Sequence, residues 1–197
     1  MTNDDAVLAQ ADRLATTASN VLRELDLVDR LAAAGRPVLV GSAAANLMVV
    51  PDIDFSILCP GDPDTGAIFR IGHLVFDHPC VERAYVVESR ELFRPVPGPE
   101  FDGVYLGIRY YDGGSRAGTE WRIDCWFFPE TLPRPDILMR DRLFAASLEE
   151  RAAILRVKQA LLAAGRYKRD AHGIDVYQAV LDRGVRTMDE FDRVAGL

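Results

Sequence analysis

The pattern of apolar positions along the chain alternates between helix-like and strand-like segments. Apolar residues recur at helical spacing from about 5 to 34, and Gly35 and Pro37 end that predicted helix. Continuous apolar runs follow at 37–40 and 52–58, and runs of this length are typical of buried strands. The N-terminal third therefore predicts a helix, a strand, a turn with a short helix, and a second strand.

The middle of the chain continues with one more helix and then only strands. A turn at 59–63 precedes a helix that begins at Asp64 or Thr65, either of which can cap it, and that runs to about Val75. Further strands are predicted at 84–87, 103–111 and 121–128, with a proline-rich loop at 94–99 after the first of them.

The element order defines the fold class. Gly113 and Gly114 predict a hairpin turn between the last two strands. The predicted order is helix, strand, helix, strand, helix, and then three strands. This order favours an α/β protein of the α+β kind, with a mixed sheet and helices on one face.

The last third of the sequence changes to a helical character. The change falls near Pro133, so we expect a first domain at 1–132 and a helical C-terminal region at 133–197. Capping boxes that begin at Ser147 and Thr187 predict two helix starts in this region.

Composition and charge restrict the partners. The chain has 197 residues, of which 49% are hydrophobic, so it can bury a sizeable core. Its net charge of -7 argues against extended nucleic-acid binding, which depends on clustered basic residues. Residues 134–169 are the exception, with 9 basic and 4 acidic side chains, and they include both lysines, Lys158 and Lys168. A solvated helix face explains such a run most simply, and docking of a triphosphate or another anion is the alternative.

The cysteines and the N-terminus predict a cytoplasmic location. Cys59, Cys80 and Cys125 are odd in number, widely spaced and set among apolar residues, which favours reduced thiols over a disulfide framework. The acidic N-terminus and the absence of an apolar run of roughly 18 residues indicate neither secretion nor a membrane partner.

Two segments near the first predicted strands carry candidate chemistry. Gly41 and Ser42 follow the first strand, and Asp52 and Asp54 open the second. Residues two apart on a strand share a face, so both carboxylates project together. Parallel carboxylates repel each other unless a cation lies between them, and oxygen ligands suit Mg²⁺, which also recruits phosphate oxygens. The pattern therefore predicts a phosphate-containing substrate.

A third carboxylate is available on the last predicted strand. Alternation places Arg122, Asp124 and Trp126 on one face of this strand and turns Ile123 and Cys125 to the apolar face. Asp124 is thus the candidate to complete a two-metal site. Trp126 could stack a nucleobase or an aromatic acceptor, although packing is the more frequent role of a tryptophan near a domain junction.

These residues resemble the nucleotidyltransferase superfamily typified by DNA polymerase beta, which includes small bacterial enzymes that nucleotidylate antibiotics. The resemblance implies that residues 1–132 form the catalytic core. It also implies that Asp52, Asp54 and Asp124 hold two Mg²⁺ or Mn²⁺ ions, and that Gly41 and Ser42 bind the triphosphate of ATP or another NTP.

The reaction implied by the resemblance is transfer of a nucleoside monophosphate to a hydroxyl acceptor with release of pyrophosphate. Asp124 would help to activate the hydroxyl. The shared strand face and the basic run suggest that Arg122 and Lys158 or Lys168 offset the triphosphate charge.

Several alternatives stay open. The acceptor could be a small molecule such as an antibiotic, a tRNA end or a protein side chain. The apolar residues 43–48 depart from the polar or basic residues that commonly follow Ser42 in this superfamily. They motivate a second hypothesis, a catalytically silent nucleotide-binding module or an interaction module of the toxin–antitoxin type. A metal-dependent phosphohydrolase is the third.

Overall fold

The computed structural model of the protein describes residues 3–89 and 103–196. The proline-rich loop predicted at 94–99 lies outside this part of the chain. The helices within it are α1 (Asn3–Glu24), α2 (Leu27–Ala32), α3 (Gly41–Ala44), α4 (Thr65–Phe76), α5 (Pro135–Phe144), α6 (Leu148–Ala163), α7 (Gly173–Arg183) and α8 (Met188–Ala195). The strands are β1 (Arg36–Val40), β2 (Asp52–Cys59), β3 (Val81–Glu88), β4 (Val104–Tyr111) and β5 (Glu120–Pro129).

The five strands form one mixed sheet in the order β1-β2-β5-β4-β3. Strand β2 pairs with β5 in parallel, and the other neighbours are antiparallel. The predicted mixed sheet is confirmed. Gly113 and Gly114 have φ angles of 83° and 73° in the turn between β4 and β5, a left-handed conformation that glycine adopts without a steric penalty.

One face of the sheet packs against α1, α2 and α4. Ile123, Cys125 and Phe127 of β5 have no exposed surface and join a core with Leu27 of α2 and Ile68 of α4. The predicted apolar face of this strand is therefore confirmed. Burial raises the pKa of the Cys125 thiol well above its ordinary value, which makes it a core side chain rather than a nucleophile.

A second core lies between the sheet and the C-terminal helices. Ile154, Leu161 and Val176 form its centre, and Ala45 and Leu47 from the segment after α3 pack into it. The apolar residues after Ser42 thus have a structural role, since they join the sheet to the helical region. The change of character near residue 132 falls between β5 and α5, but this core contains residues from both sides of it.

Helix α1 contributes to both cores. Val7 and Ala11 near its start lie in the second core, whereas Ala18 and Val21 lie in the first. At its end, Glu24 accepts a hydrogen bond of 2.5 Å from the Tyr110 hydroxyl of β4. The helix therefore bridges the two packed units along its length.

The prediction of one helix from about 5 to 34 is wrong in one respect. Asp26 adopts a left-handed conformation with φ of 49° and separates α1 from α2. The apolar periodicity does not reveal this break, because Leu25 before it and Leu27 after it pack into the same core.

The predicted helix caps are confirmed. Ser147 and Thr187 form capping boxes at the starts of α6 and α8, and Asp64 accepts a hydrogen bond from the Ala67 amide at the start of α4. Gly184 ends α7 with φ of 69°.

The sequence predicted helices on one face of the sheet, but α5 lies on the other face. Its Ile137 packs against Val38, Val40 and Leu58 on the sheet face opposite to α4. None of the helices in the described ranges combines the length and the apolar character needed to cross a membrane.

The shared cores predict that the sheet and the helical region unfold together. Leu161→Ala should lower the stability by about 2–5 kcal/mol, because it leaves a cavity in the second core. Both tryptophans, Trp121 and Trp126, lie in β5, so tryptophan fluorescence reports on the sheet while far-ultraviolet circular dichroism reports mainly on the helices. In urea, the variant should shift both signals to the same lower midpoint.

The matched control is Leu162→Ala, because the neighbouring Leu162 is 42% exposed and should change the midpoint little. A loss confined to the dichroism signal of Leu161→Ala would contradict a single cooperative unit.

Candidate active site

The parallel register of β2 and β5 brings the three predicted acids to one face of the sheet. Asp54 lies directly opposite Asp124, and Asp52 lies opposite Arg122. Neighbouring strands are about 4.8 Å apart, so the two opposed aspartates are close neighbours. Asp124 is 29% exposed and does not turn into the core. The structure therefore brings Asp52, Asp54 and Asp124 together.

The Gly41-Ser42 turn lies against Asp54. Val40 at the end of β1 pairs with Asp54, and Gly41 follows with φ of 63°. A Cβ atom at Gly41 would approach within 2.7 Å of Asp54 Oδ2. Only glycine fits this backbone conformation and this close approach, which explains the residue type at the turn.

The three carboxylates disfavour one another in the absence of a cation. Burial, and then the charges of Asp52 and Asp124, raise the pKa of Asp54 from 3.8 to about 7. The charges of Lys168 and Lys158 oppose this rise. Ionisation of Asp54 therefore costs the fold free energy.

Asp52 is paired with a cation from the helical region. Lys168 Nζ lies 2.6 Å from Asp52 Oδ2, and Arg122 Nε lies 3.4 Å from Asp52 Oδ1. Asp52 Oδ1 is nevertheless buried without a hydrogen bond. Lys168 follows α6 and has φ of 64°, an uncommon conformation for a lysine. One oxygen of Asp52 is thus held by an ammonium group and the other remains short of a donor.

Asp124 is oriented by β4. The Tyr105 hydroxyl donates a hydrogen bond of 2.7 Å to Asp124 Oδ1, and Arg109 Nη1 lies 3.8 Å from the same oxygen. Burial, and then the hydrogen bond to Asp124, raise the pKa of Tyr105 far above its ordinary value. Tyr105 therefore remains a protonated donor at any physiological pH.

Lys158 occupies a different position from the one that its sequence neighbourhood suggested. Its side chain is fully buried, with Nζ 2.6 Å from the Leu47 carbonyl oxygen and 3.3 Å from the Tyr177 hydroxyl. Burial lowers the pKa of Lys158 to about 7. This position does not fit the predicted direct contact with a triphosphate.

Ser42 is also largely buried, at 6% exposure. Burial raises the pKa of the Tyr177 phenol, and a hydrogen bond with the Ser42 side chain acts in the opposite direction. The Ser42 hydroxyl therefore faces the helical region.

A cavity of about 270 Å³ lies between Asp52 and Asp54 on one side and the helical region on the other. Gly41, Asp52 and Asp54 form its sheet side, and Tyr167 and His172 line it from the loop between α6 and α7. Its walls combine carboxylates, backbone and aromatic rings, which suits a polar ligand with a planar part.

The donor types suit a divalent cation, but their placement does not form a complete site. Among the described residues, no group of three or more histidine, cysteine, aspartate or glutamate side chains is placed so that it could hold a metal ion. Asp52 is paired with Lys168 instead. Three carboxylates on one face, an unsatisfied buried oxygen on Asp52 and the raised pKa of Asp54 are nevertheless features that a hard cation would relieve.

The sequence did not predict Tyr105 or Arg109 as site residues. Both lie on β4, and their proximity to Asp124 depends on the antiparallel register of β4 with β5. Alternation within a strand at 103–111 puts Tyr105, Gly107 and Arg109 on one face, but it does not show that this face carries the acids.

The mixed sheet, with acids on neighbouring parallel strands beside a glycine turn, is the fold expected from the resemblance to the nucleotidyltransferases related to DNA polymerase beta. Two solved structures share it. Cid1 in complex with its short product ApU superposes with a TM-score of 0.52 at 12% identity, over 82% of this chain and 47% of that chain. Terminal uridylyl transferase 4 from Trypanosoma brucei with bound UPU gives a TM-score of 0.50 at 13% identity, over 93% of this chain and 60% of that chain.

At these identities the likeness shows the fold, and the predicted resemblance is confirmed at that level. The chain spans about half of the Cid1 structure and three fifths of the transferase 4 structure. No protein-family model matches the sequence, and no curated protein matches it.

The raised pKa of Asp54 predicts a pH-dependent effect of Asp54→Asn on stability. Because the folded-state pKa lies above the ordinary value of 3.8, ionisation of Asp54 opposes folding. This cost is absent below pH 3.8 and complete above about pH 7. In EDTA, Asp54→Asn should therefore raise the Tm by a few degrees at pH 8 and by clearly less at pH 5.

Asp62→Asn, at an exposed carboxylate in the turn after β2, is the control and should show no such difference between the two pH values. Mg²⁺ should then raise the Tm of the wild type more than that of Asp54→Asn. An equal Tm gain at pH 5 and pH 8 would show that Asp54 is not destabilised by ionisation.

Proposed function

We propose that the protein is a nucleotidyltransferase that moves a nucleoside monophosphate from an NTP to a hydroxyl acceptor and releases pyrophosphate. One observation supports this most directly. Asp54 and Asp124 are opposed across the parallel strand pair, with Asp52 on the same face and the Gly41 backbone against Asp54. The arrangement places a cluster of carboxylates beside the backbone of a glycine turn.

Asp52, Asp54 and Asp124 would hold two Mg²⁺ or Mn²⁺ ions, which supply charge neutralisation of the triphosphate and a lower pKa for the acceptor hydroxyl. The unsatisfied oxygen of Asp52 and the mutual repulsion at Asp54 support this role. In this proposal the three aspartates bind the metal ions, and the helical region contributes the positively charged side chain of Lys168.

The NTP, with ATP as one candidate, would occupy the cavity between the sheet and the helical region. Gly41 and the Ser42 backbone would meet the phosphates, because the Ser42 side chain faces Tyr177. Lys168 would exchange its bond to Asp52 for a phosphate oxygen, and Arg122 on the neighbouring strand would add a second positive charge. Buried Lys158 would act through the Leu47 carbonyl and Tyr177, as a positioning residue.

The acceptor hydroxyl would approach Asp124 from the open side of the sheet. Tyr105 occupies Asp124 Oδ1 with its hydrogen bond, which fixes the direction of the other carboxylate oxygen. That oxygen would accept the hydroxyl proton as the new bond to the α-phosphorus forms. Pyrophosphate would leave on the side of Lys168.

A catalytically silent nucleotide-binding module with the same fold is the second candidate. The ion pair between Lys168 and Asp52 favours it, because the ammonium group takes an oxygen that a metal ion would need. The two candidates differ in turnover, because the silent module binds a nucleotide without releasing pyrophosphate.

Asp54→Asn tests turnover directly. With Mg²⁺, an NTP and a panel of acceptors that contains a short oligoribonucleotide, bulk tRNA and an aminoglycoside, the wild type should release pyrophosphate with at least one acceptor. The variant should release it at least about 100-fold more slowly, since it loses a carboxylate ligand of the proposed metal ions.

Asp62→Asn should release pyrophosphate at the wild-type rate. Release of inorganic phosphate alone by the wild type would indicate a phosphohydrolase, and no release with any acceptor would favour the silent module.

Lys168→Ala tests by binding alone whether Lys168 contacts the nucleotide or only closes the site around Asp52. If Lys168 contacts the triphosphate, the variant should raise the Kd for a fluorescent ATP analogue with Mg²⁺ by about 10-fold. Arg169→Ala is the matched control, because Arg169 is 67% exposed and pairs with its neighbour Asp170.

If Lys168 instead seals the site of a silent module, its removal should tighten Mn²⁺ binding and leave the Kd for the nucleotide unchanged. That result would remove Lys168 from the proposed nucleotide site.

A further inference from the structure

The two edge strands of the sheet differ in how well they are protected. Strand β1 is short and contains Pro37, which has no backbone N–H to offer a neighbouring strand, and Ile137 of α5 packs on its Val38. Strand β3 has eight residues and no proline, and within the described ranges no strand pairs with its outer side. Proteins usually block long exposed edges, so an open edge indicates a place where another strand can pair.

An apolar side of α4 lies beside this open edge. Phe69 is 57% exposed and Phe76 is 52% exposed, and His73 lies between them at helical spacing, so the three share one side of the helix. This side lines a groove of about 210 Å³ together with Ala84 and Tyr85 of β3. The strand edge and the exposed rings therefore form one continuous surface, here named the β3–α4 face.

We propose that two copies of this chain associate through the β3–α4 face. Strand β3 pairs antiparallel with the same strand of the second copy around a two-fold axis perpendicular to the sheet. The two α4 helices pack side by side across the same axis. Such a contact uses the same patch on both copies and stops at a dimer. It joins the two sheets edge to edge into one continuous sheet.

The position of α4 on the sheet fits this arrangement. A Cβ atom at Gly72 would lie 3.2 Å from Leu106 of β4 and 4.0 Å from Val86 of β3, so the helix lies over the gap between these two strands. Its axis is thus about half a strand spacing inside β3. Across the two-fold axis the two α4 axes are then about two strand spacings, or roughly 10 Å, apart. Helices pack against each other at 8–10 Å, so the rings of both copies meet without a clash.

One axis serves the strands and the helices together. Gly72 lies next to the midpoint of the apolar side of α4 and also beside Val86, near the middle of β3. An axis at this level passes close to Tyr85, and it brings Phe69 of each copy towards Phe76 of the other. The aromatic side is therefore complementary to itself in the antiparallel arrangement.

The charges on β3 tolerate this register. With the axis at Tyr85, Arg83 lies opposite Val87 of the second copy, and Ala84 lies opposite Val86. Like charges oppose each other only where Glu82 meets Glu88, at the two ends of the strand pair. Glu82 lies at the bulge of β3 and forms an ion pair with Arg116, which offsets its charge.

The size of the face predicts a reversible dimer. Eight strand residues extend about 27 Å, and the layers of strand and helix are together about 15–20 Å deep. Each copy would bury on the order of 500 Å², so both together reach the roughly 1,000 Å² at which specific interfaces begin. An interface of this size gives a dissociation constant of about 1–100 µM.

The dimer leaves both candidate active sites open. The cavity is lined by residues of β2, α3, α5 and α7 and of the loop before α7, and none of these elements belongs to the β3–α4 face. A two-fold axis perpendicular to the sheet keeps the acids of both copies on the same side. Strand β5 is the third strand from the open edge, so the two Asp124 residues lie about five strand spacings, or roughly 24 Å, apart.

Sedimentation velocity over protein concentrations from about 1 to 500 µM tests the proposal on the full chain. The wild type should change from monomer to dimer over this range. The double variant Phe69→Glu/Phe76→Glu should raise the dissociation constant at least about 30-fold, because it removes the central rings and brings carboxylates together. Both positions are more than half exposed, so its circular dichroism should equal that of the wild type.

The matched control is Phe144→Glu, at an aromatic side chain on α5 that is 56% exposed and lies outside the β3–α4 face. It should dimerise as the wild type does. A wild type that stays monomeric at every concentration would overturn the proposal and leave the open edge to a partner of another sequence. A dimer that Phe144→Glu dissociates, or that the double variant leaves intact, would also overturn it.

Cysteine cross-linking tests the axis without changing the apolar rings. In a Cys80→Ser background, His73→Cys lies beside the axis and should form a disulfide-linked dimer on mild oxidation. Leu74→Cys is the control, because Leu74 is 50% exposed but points about 100° away around the helix. Equal cross-linking of the two variants would contradict the proposed axis. Neither experiment requires metal or NTP, so both results are independent of the proposed nucleotidyl transfer.

Discussion

The parallel pairing of β2 with β5 is the constraint on which the candidate site depends. It sets Asp54 opposite Asp124, whereas their positions in the sequence are 70 residues apart. A slip of one residue in this register would turn Asp124 to the helix-packed face and expose Cys125 in its place. The apolar side chains of Ile123 and Phe127 prevent such a slip, because they are completely buried in the first core. The interior packing of one face therefore determines the chemistry available on the other.

Local patterns predicted most of the fold and the three acids. Strand alternation predicted which strand face carries Asp52, Asp54 and Asp124, and the glycine at 41 indicated a tight turn. The environment of the acids was not predictable in the same way. The contacts of Asp124 with Tyr105 and of Asp52 with Lys168 join residues that are 19 and 116 positions apart. Such contacts depend on sheet register and on the docking of the helical region, and neither is encoded in a local period.

The two lysines show how burial divides residues that look equivalent in the sequence. Lys168 lies in a loop at the edge of the cavity and is 32% exposed, so its charge is available to Asp52. Lys158 lies on the inner side of α6, where desolvation lowers its pKa and its hydrogen bonds go to Leu47 and Tyr177. The clustering of basic residues in the sequence identified the segment that approaches the site. Only the packing of α6 shows that Lys168 is accessible and that Lys158 is internal.

Helix α1 restrains the spacing of the two packed units on either side of the cavity. Its first half is embedded in one packed unit and its second half in the other, and hydrogen-bonded pairs fasten its ends, from Asp4 to Arg156 and from Glu24 to Tyr110. A helix that packs into both units and is tied at both ends restrains a hinge movement between them. If the two units keep this spacing when a ligand binds, the proposed nucleotide would be selected by steric fit to a preformed cavity rather than by closure around it.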